Sequence, residues 1–124
     1  AGAAGLLVFP PTLFMWGAQL KPDMVVRHFS DVASATDLPI IVFEYPPVSG
    51  IGYAPETLAR LTEIPHIAGV KDWSNEIVTF ERNLRALRAT GRPVAMLSAF
   101  TMSTVSHGNC GVERHPDDQT DDDR

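Results

Sequence analysis

A lysine stands near the end of a short apolar run, IAGVKDW at residues 67–73, and it is one of only two lysines in the chain. A β-strand places successive side chains on opposite faces, so we expect Lys71 to share a face with Gly69 and Ile67. An amine held against apolar neighbours has its charged form disfavoured, and the free base can attack a carbonyl carbon. The run therefore predicts a covalent catalyst at Lys71. A surface lysine that closes a strand is the alternative.

Alternating strands and helices must position this lysine. Apolar runs predict four strands, at residues 6–9, 40–45, 67–73 and 93–98. Amphipathic segments predict the helices between them: one from Pro22 to the turn at 37–39, one at 55–61, one from a Ser74 or Asn75 cap to Gly91, and a last one from Thr101. Such a β-α-β order calls for a parallel sheet.

Four such units are half of an eight-stranded barrel, which takes about 250 residues. A small open α/β sheet is the other architecture that fits. No Gly-x-Gly-x-x-Gly follows the first strand and no Walker loop occurs in the sequence, so a nucleotide-binding open sheet is the weaker choice.

Charge is concentrated at the carboxyl end of the 124-residue chain, whose formal net charge is -5. Residues 107–124 hold six acidic and two basic residues, which leaves about -1 for the remainder. We therefore predict a folded domain at 1–106 and a disordered acidic tail at 107–124, or a tail read out of its proper frame. The nearly neutral body lacks a basic stripe, which argues against nucleic-acid binding.

Cysteine usage and hydropathy favour a cytoplasmic protein. Cys110 is the only cysteine, which excludes an internal disulfide framework. No apolar run approaches the roughly 20 residues that span a bilayer, and the opening residues lack the basic start of a signal peptide. His107, Cys110 and His115 lack the paired spacing of a zinc site, so we expect no metal and no cofactor.

Three stretches together resemble the dihydrodipicolinate synthase / N-acetylneuraminate lyase family of class I aldolases. They are DLPIIVFEYP at 37–46, SGI at 49–51 and IAGVKD at 67–72, and the helix PETLARL at 55–61 also matches. The resemblance runs from residue 1 to about 105. It implies a partial (β/α)8 TIM barrel, covering about the fourth to seventh units.

The family resemblance assigns a role to Lys71. In this family the lysine of the Gly-Val-Lys strand forms a Schiff base with pyruvate or another 2-oxo acid. The iminium is an electron sink, so the adjacent carbon can lose a proton or a carbon substituent. The resemblance therefore implies a lyase that makes or breaks carbon–carbon bonds, with a small 2-oxo acid as substrate. Relatives are often tetramers, which suggests a homo-oligomer.

Several family positions are changed in this chain. The proton-relaying tyrosine of the family falls on Phe43, which has no hydroxyl. Tyr45 lies two residues on and shares its face, so Tyr45 takes over part of the relay or merely packs with its hydroxyl in solvent. The arginine of the synthase branch falls on Val48. The aromatic or hydroxyl residues after the fourth barrel strand become Pro11 and Thr12.

Five apolar residues are predicted to line the pocket mouth. Phe14, Trp16, Phe43, Val48 and Trp73 would make it more apolar than a site for a polyhydroxylated sugar acid, which favours a less polar aldehyde adduct. Ordinary core or subunit contacts are the alternative for these residues.

The predicted catalytic residues are Lys71 and Tyr45. The predicted substrate-binding residues are Thr12, Phe43, Val48 and Ser98. Ser98 ends the last strand, where it lines the pocket or simply faces solvent. Glu44 points to the other face by strand parity, and we expect it to contact the flanking helices.

Two functions from different classes remain open. The first is a class I aldolase-type lyase that uses Lys71. The second is a truncated, inactive half-barrel that self-associates or is a degenerate gene product. Half a barrel leaves its outer strands unpaired, and such edges favour association.

Overall fold

Four parallel strands in the order β1-β2-β3-β4 form the sheet of the computed structural model, which describes residues 2–15, 17 and 20–99. The strands are β1 (Leu6–Val8), β2 (Ile40–Glu44), β3 (Ile67–Asp72) and β4 (Ala95–Ser98). The helices are α1 (Pro22–Ser34), α2 (Pro55–Leu61) and α3 (Ile77–Ala89), with 3-10 turns at Thr12–Phe14 and Pro47–Ser49. The predicted parallel α/β sheet is confirmed. Each strand lies beside the next in sequence, as in a barrel wall.

Proline and glycine set the helix ends largely as the sequence indicates. Pro22 and Pro55 each occupy the first turn of a helix, where a missing N–H costs nothing. Gly91 follows α3 with φ 68°, as a left-handed C′ residue does. The predicted cap of α3 is wrong: its N-cap is Glu76, because the chain turns through a left-handed Asn75 with φ 59° before the helix begins.

The helices cover one face of the sheet and bury the main core there. Val25 and Phe29 of α1, on one helical face, are fully buried. Val42 and Val70 are register partners on β2 and β3 and point into the same cluster. The other members come from the three helices, the starts of β2 and β3, and the segments before α2 and β3: Ala33, Ile40, Tyr53, Leu58, Leu61, Ile64, Ile67 and Leu87. Burial of this face fixes which side chains the strands present on the opposite one.

The opposite face, called here the inner face, is only partly covered. Leu7, Phe9 and Leu97 on this face are 41%, 48% and 42% exposed. The prediction that Ile67 shares the face of Lys71 is wrong. The pairing of β2 with β3 is irregular after Ile40, and Ile67 packs in the helix-side core instead.

Several predictions fall on residues outside the described part of the chain. They are Trp16, the helix from Thr101, and the tail at 107–124 with His107, Cys110 and His115. Within the described residues, no helix is long and apolar enough to cross a membrane.

Gly52 lets the chain return tightly after β2. A Cβ built on Gly52 would lie 2.7 Å from the carbonyl oxygen of Tyr45 and 3.1 Å from that of Pro46. Both atoms belong to the backbone, so neither can turn aside as a flexible side chain would. The segment between β2 and α2 therefore depends on a residue without a side chain at this position.

Replacing Gly52 with alanine should lower the free energy of unfolding by about 1–3 kcal/mol, because the added methyl overpacks a fixed backbone. Urea unfolding followed by circular dichroism measures this change. Gly17→Ala is the matched control, since a Cβ there meets no atom within 4 Å. Equal midpoints for the two variants would contradict the steric account.

Candidate active site

Lys71 lies near the carboxyl end of β3 on the inner face of the sheet. It is register partner to Phe43 of β2 on one side and Leu97 of β4 on the other. Its Nζ lies 5.8 Å from the centroid of the Phe43 ring, within cation–π range. The side chain is half-buried. The amine thus has an aromatic wall on the β2 side and an open approach from the inner face.

Four aromatic rings, called the aromatic cluster, form that wall: Phe9, Phe43, Tyr45 and Trp73. The Phe9 and Phe43 rings stack with centroids 4.4 Å apart. Tyr45 lies 4.9 Å from Phe43 and 5.7 Å from Trp73, and Trp73 lies 5.9 Å from Phe43. Offset and edge-on contacts of this kind add about 0.5–1.5 kcal/mol per pair beyond area burial.

Three members of the aromatic cluster directly follow strands. Phe9, Tyr45 and Trp73 come after β1, β2 and β3, and parallel strands end at one edge of the sheet, here called the rim. The backbone N–H of Trp73 donates to the carbonyl oxygen of Glu44 at 2.9 Å, which continues the ladder past β3. The rings are therefore held at the rim by backbone pairing, as active sites of parallel α/β folds commonly are.

Tyr45 is the tyrosine that the structure brings to this cluster, as strand parity predicts. It contacts Phe43, which is the register partner of Lys71 on β2, and Trp73, which lies two residues after Lys71. Tyr53 lies on the helix side, 3% exposed, where burial and then Glu44 raise the pKa of its phenol. Of these two phenols, Tyr45 is the one that lies on the inner face with the aromatic cluster.

The other predicted contacts are more scattered. Thr12 and Val48 lie in 3-10 turns after β1 and β2, and both are exposed, Val48 by 93%. The structure does not group Ser98 with Lys71: it is the register partner of Asp72 and has the parity of Met96, which packs on the helix-side core. Phe14 likewise packs against that core, beside His28 on α1.

Behind the sheet, sequence analysis missed a polar network. Glu44 is fully buried, and both of its carboxyl oxygens accept from the backbone N–H of Tyr53, at 3.0 and 3.1 Å. Its predicted contact on the helix side is therefore confirmed, and the contact is the segment that enters α2. Burial raises the pKa of Glu44 well above its ordinary value. The Tyr53 N–H opposes that rise and Asp72 adds to it.

Asp72 completes this network from the neighbouring strand. It is the register partner of Glu44 and 3% exposed. Its Oδ1 accepts from the N–H of Ser74 at 2.7 Å, and its Oδ2 accepts from Nδ2 of Asn83 on α3 at 3.1 Å. The alternation of Glu44 and Asp72 with buried valines was the signal available in the sequence. This alternation indicates that Glu44 and Asp72 lie on the helix side of the sheet, but it does not identify their hydrogen-bond partners.

A model of the dihydrodipicolinate synthetase family matches residues 1–113 of the chain. A 4-hydroxy-tetrahydrodipicolinate synthase of Corynebacterium diphtheriae is 40% identical over 77 residues, which is 62% of this chain and 24% of that protein. A probable 5-dehydro-4-deoxyglucarate dehydratase of Streptomyces coelicolor is 34% identical over 88 residues, 71% of this chain and 26% of that protein.

A crystal structure supports the same relationship. It is the chloride-inhibited dihydrodipicolinate synthase of Acinetobacter baumannii complexed with pyruvate, which superposes with a TM-score of 0.63 at 27% identity. The match covers 78% of this chain and 31% of that one. The described sheet and helices are therefore part of a TIM barrel, as predicted. The chain spans about a quarter to a third of the length of these relatives.

Proposed function

Because this chain belongs to the dihydrodipicolinate synthetase family, we propose that it carries the imine-forming lysine of a class I aldolase-type lyase. The Nζ of Lys71 attacks the C2 carbonyl of a 2-oxo acid such as pyruvate, and water leaves as the imine forms. The protonated imine withdraws electrons from C3, which loses a proton or a carbon substituent to give the enamine. Addition of the enamine to an aldehyde is the reverse of cleavage.

The position of Lys71 beside the aromatic cluster carries this proposal. The amine is on the inner face near the rim, where a substrate can approach it, and the Phe43 ring lies beside it. The pyruvate complex of the Acinetobacter baumannii synthase supports a 2-oxo acid as the substrate class. The single cysteine of the sequence supports a cytoplasmic location.

We assign part of the proton relay to Tyr45. A phenol can protonate the departing hydroxyl so that it leaves as water, and the resulting phenolate can take a proton from C3; Phe43 can do neither. Tyr45 shares the inner face with Lys71 and contacts the two rings that flank it. The other predicted substrate contacts, Thr12 and Val48, stand on exposed rim turns where they can meet the far end of a substrate. Ser98 is left out of this site because of its strand parity.

Incubation with pyruvate and borohydride should attach a reduced adduct to Lys71, located by peptide mass spectrometry. Lys71→Arg should abolish the adduct, since a guanidinium does not form the imine. Lys21→Arg is the control because Lys21, the only other lysine, is exposed at the start of α1 and should leave labelling intact. An unlabelled Lys71 across a panel of 2-oxo acids would contradict the lyase proposal.

Tyr45→Phe should slow the exchange of the pyruvate methyl protons for deuterium by about 100-fold, the usual range for loss of a general acid–base group. Proton NMR in deuterium oxide follows this step, which reports enamine formation. Adduct yield at long times should be preserved, because Lys71 is still present. An exchange rate equal to that of the parent would assign Tyr45 to packing alone.

The exposed inner face supports a second candidate, self-association without chemistry. Leu7, Phe9, Trp73 and Leu97 are each more than 40% exposed on that face, a contiguous apolar surface of the kind that marks association sites.

The Leu97→Lys variant should contain more monomer than the parent in sedimentation velocity, because a charge there opposes burial of the inner face. Leu13→Lys is the matched control, since Leu13 is 92% exposed on a rim turn. A parent that sediments as a folded monomer would remove the association candidate.

A further inference from the structure

Two carboxyl groups, called here the carboxyl pair, lie side by side on the helix side of the sheet, behind Lys71. Glu44 and Asp72 end β2 and β3 as register partners, with exposed fractions of 0% and 3%. Neighbouring strands run about 4.8 Å apart, so two anions in these positions would repel each other strongly away from water. The carboxyl pair is therefore expected to avoid a double negative charge.

The hydrogen-bonding groups around the carboxyl pair leave room for one more proton. Three nitrogens donate to it: the N–H of Tyr53 to Glu44, and the N–H of Ser74 and Nδ2 of Asn83 to Asp72. Four carboxyl oxygens accept them, and Oδ1 of Asn83 is a further buried acceptor without a partner among the described residues. A proton on Glu44 adds a donor among these buried acceptors.

No described cation neutralises the carboxyl pair. The groups that interact electrostatically with Glu44 are Asp72 from β3 and the Tyr53 phenol from the segment before α2. From α3 comes the uncharged amide of Asn83, and β1 contributes apolar side chains. On α1, burial lowers the pKa of His28, which favours its neutral form. The charged residues of α2 and the neighbouring turns of α3 lie toward solvent: Glu56, Arg60, Glu81, Arg82, Arg85 and Arg88.

Each member of the carboxyl pair holds one segment of the rim. Glu44 binds the Tyr53 N–H and so closes the segment 45–54, which begins with Tyr45. Asp72 binds the Ser74 N–H and so fixes the turn at Trp73. Tyr45 and Trp73 of the aromatic cluster therefore lie directly beside the two groups that anchor the rim from behind the sheet.

We propose that Glu44 holds a proton in the closed state and that Glu44 and Asp72 act as positioning residues, which keep the segment 45–54 and the turn at Trp73 closed beside Lys71. The holding role stands on the contacts above, and its bearing on catalysis rests on the proposed imine chemistry.

A pH dependence with a definite sign follows from this arrangement. When a segment opens, water reaches Glu44 and its pKa returns toward the ordinary value, whereas in the closed state burial holds it higher. Closure is thus fully stable below the ordinary range of a glutamic acid. It weakens as the pH rises toward the elevated value, because the open state releases the proton first.

Amide hydrogen exchange at Tyr53 and Ser74 tests the holding role across a pH series. In the parent, the protection factors should fall with rising pH, by at most about tenfold per pH unit. Glu44→Gln should make them independent of pH, because its amide mimics the protonated acid. Glu63→Gln, at an exposed glutamate, should behave as the parent does. Asp72→Asn is a second variant, which should lessen the pH dependence by removing the partner charge.

Identical pH dependence in the parent and in Glu44→Gln would overturn the proposal. Borohydride trapping with pyruvate in the same samples separates it from the proposed function. If the parent shows pH-dependent protection but pyruvate and borohydride leave Lys71 unlabelled, the lyase proposal is overturned and the holding role of the carboxyl pair stands. Where the adduct forms, the ratio of trapping rates, Glu44→Gln over parent, should rise with pH. A ratio that stays constant with pH would show that the carboxyl pair does not influence the reaction at Lys71.

Discussion

The register between β2 and β3 is the constraint on which the site depends. Phe43 is paired with Lys71 and Glu44 with Asp72, so one step along the pleat separates two chemically opposite environments. On the inner face the amine meets aromatic rings, and on the helix side two carboxyl groups meet backbone and amide donors. A slip of one residue in β3 would exchange the faces of its side chains and bury the amine among the core valines.

The helix-side core explains why this register is maintained. Val42 and Val70 are fully buried and pair with each other, two residues before Glu44 and Asp72 on the same face of the sheet. Exchanging faces would expose these valines and bury the polar amine of Lys71, and both changes are unfavourable. The apolar packing under the sheet thus positions the functional groups above it, with no direct contact between the two layers required.

Much of the fold was predictable because its signals are local. Apolar runs bounded by prolines located β1 and β2, and Pro22, Pro55 and Gly91 marked helix ends within a residue or two. The cap of α3 was mispredicted because a left-handed Asn75 delays the helix, which side-chain type alone does not reveal. The face of Ile67 was mispredicted because a pairing irregularity is a property of two strands together.

The candidate site was predictable to the same extent. Strand parity placed Tyr45 beside Phe43, and it also assigned Glu44 to the helix side. Ser98 was placed by its position at the end of the last strand, whereas strand parity puts it on the face of Asp72. The links from Glu44 to Tyr53 and from Asp72 to Asn83 join residues nine and eleven positions apart, across turns whose path the sequence does not specify.

The two candidate functions share one physical requirement. Lys71 has rings on its β2 side, but the inner face around it is more than 40% exposed at Leu7, Phe9 and Leu97. Electrostatic and proton-transfer steps become more effective as water is excluded, so the imine chemistry gains from any protein surface that covers this face. In relatives three to four times as long, the same chain can supply that cover. Association through the inner face and the proposed catalysis at Lys71 would therefore be compatible: a partner that buries Leu97 without filling the space over Lys71 would favour both.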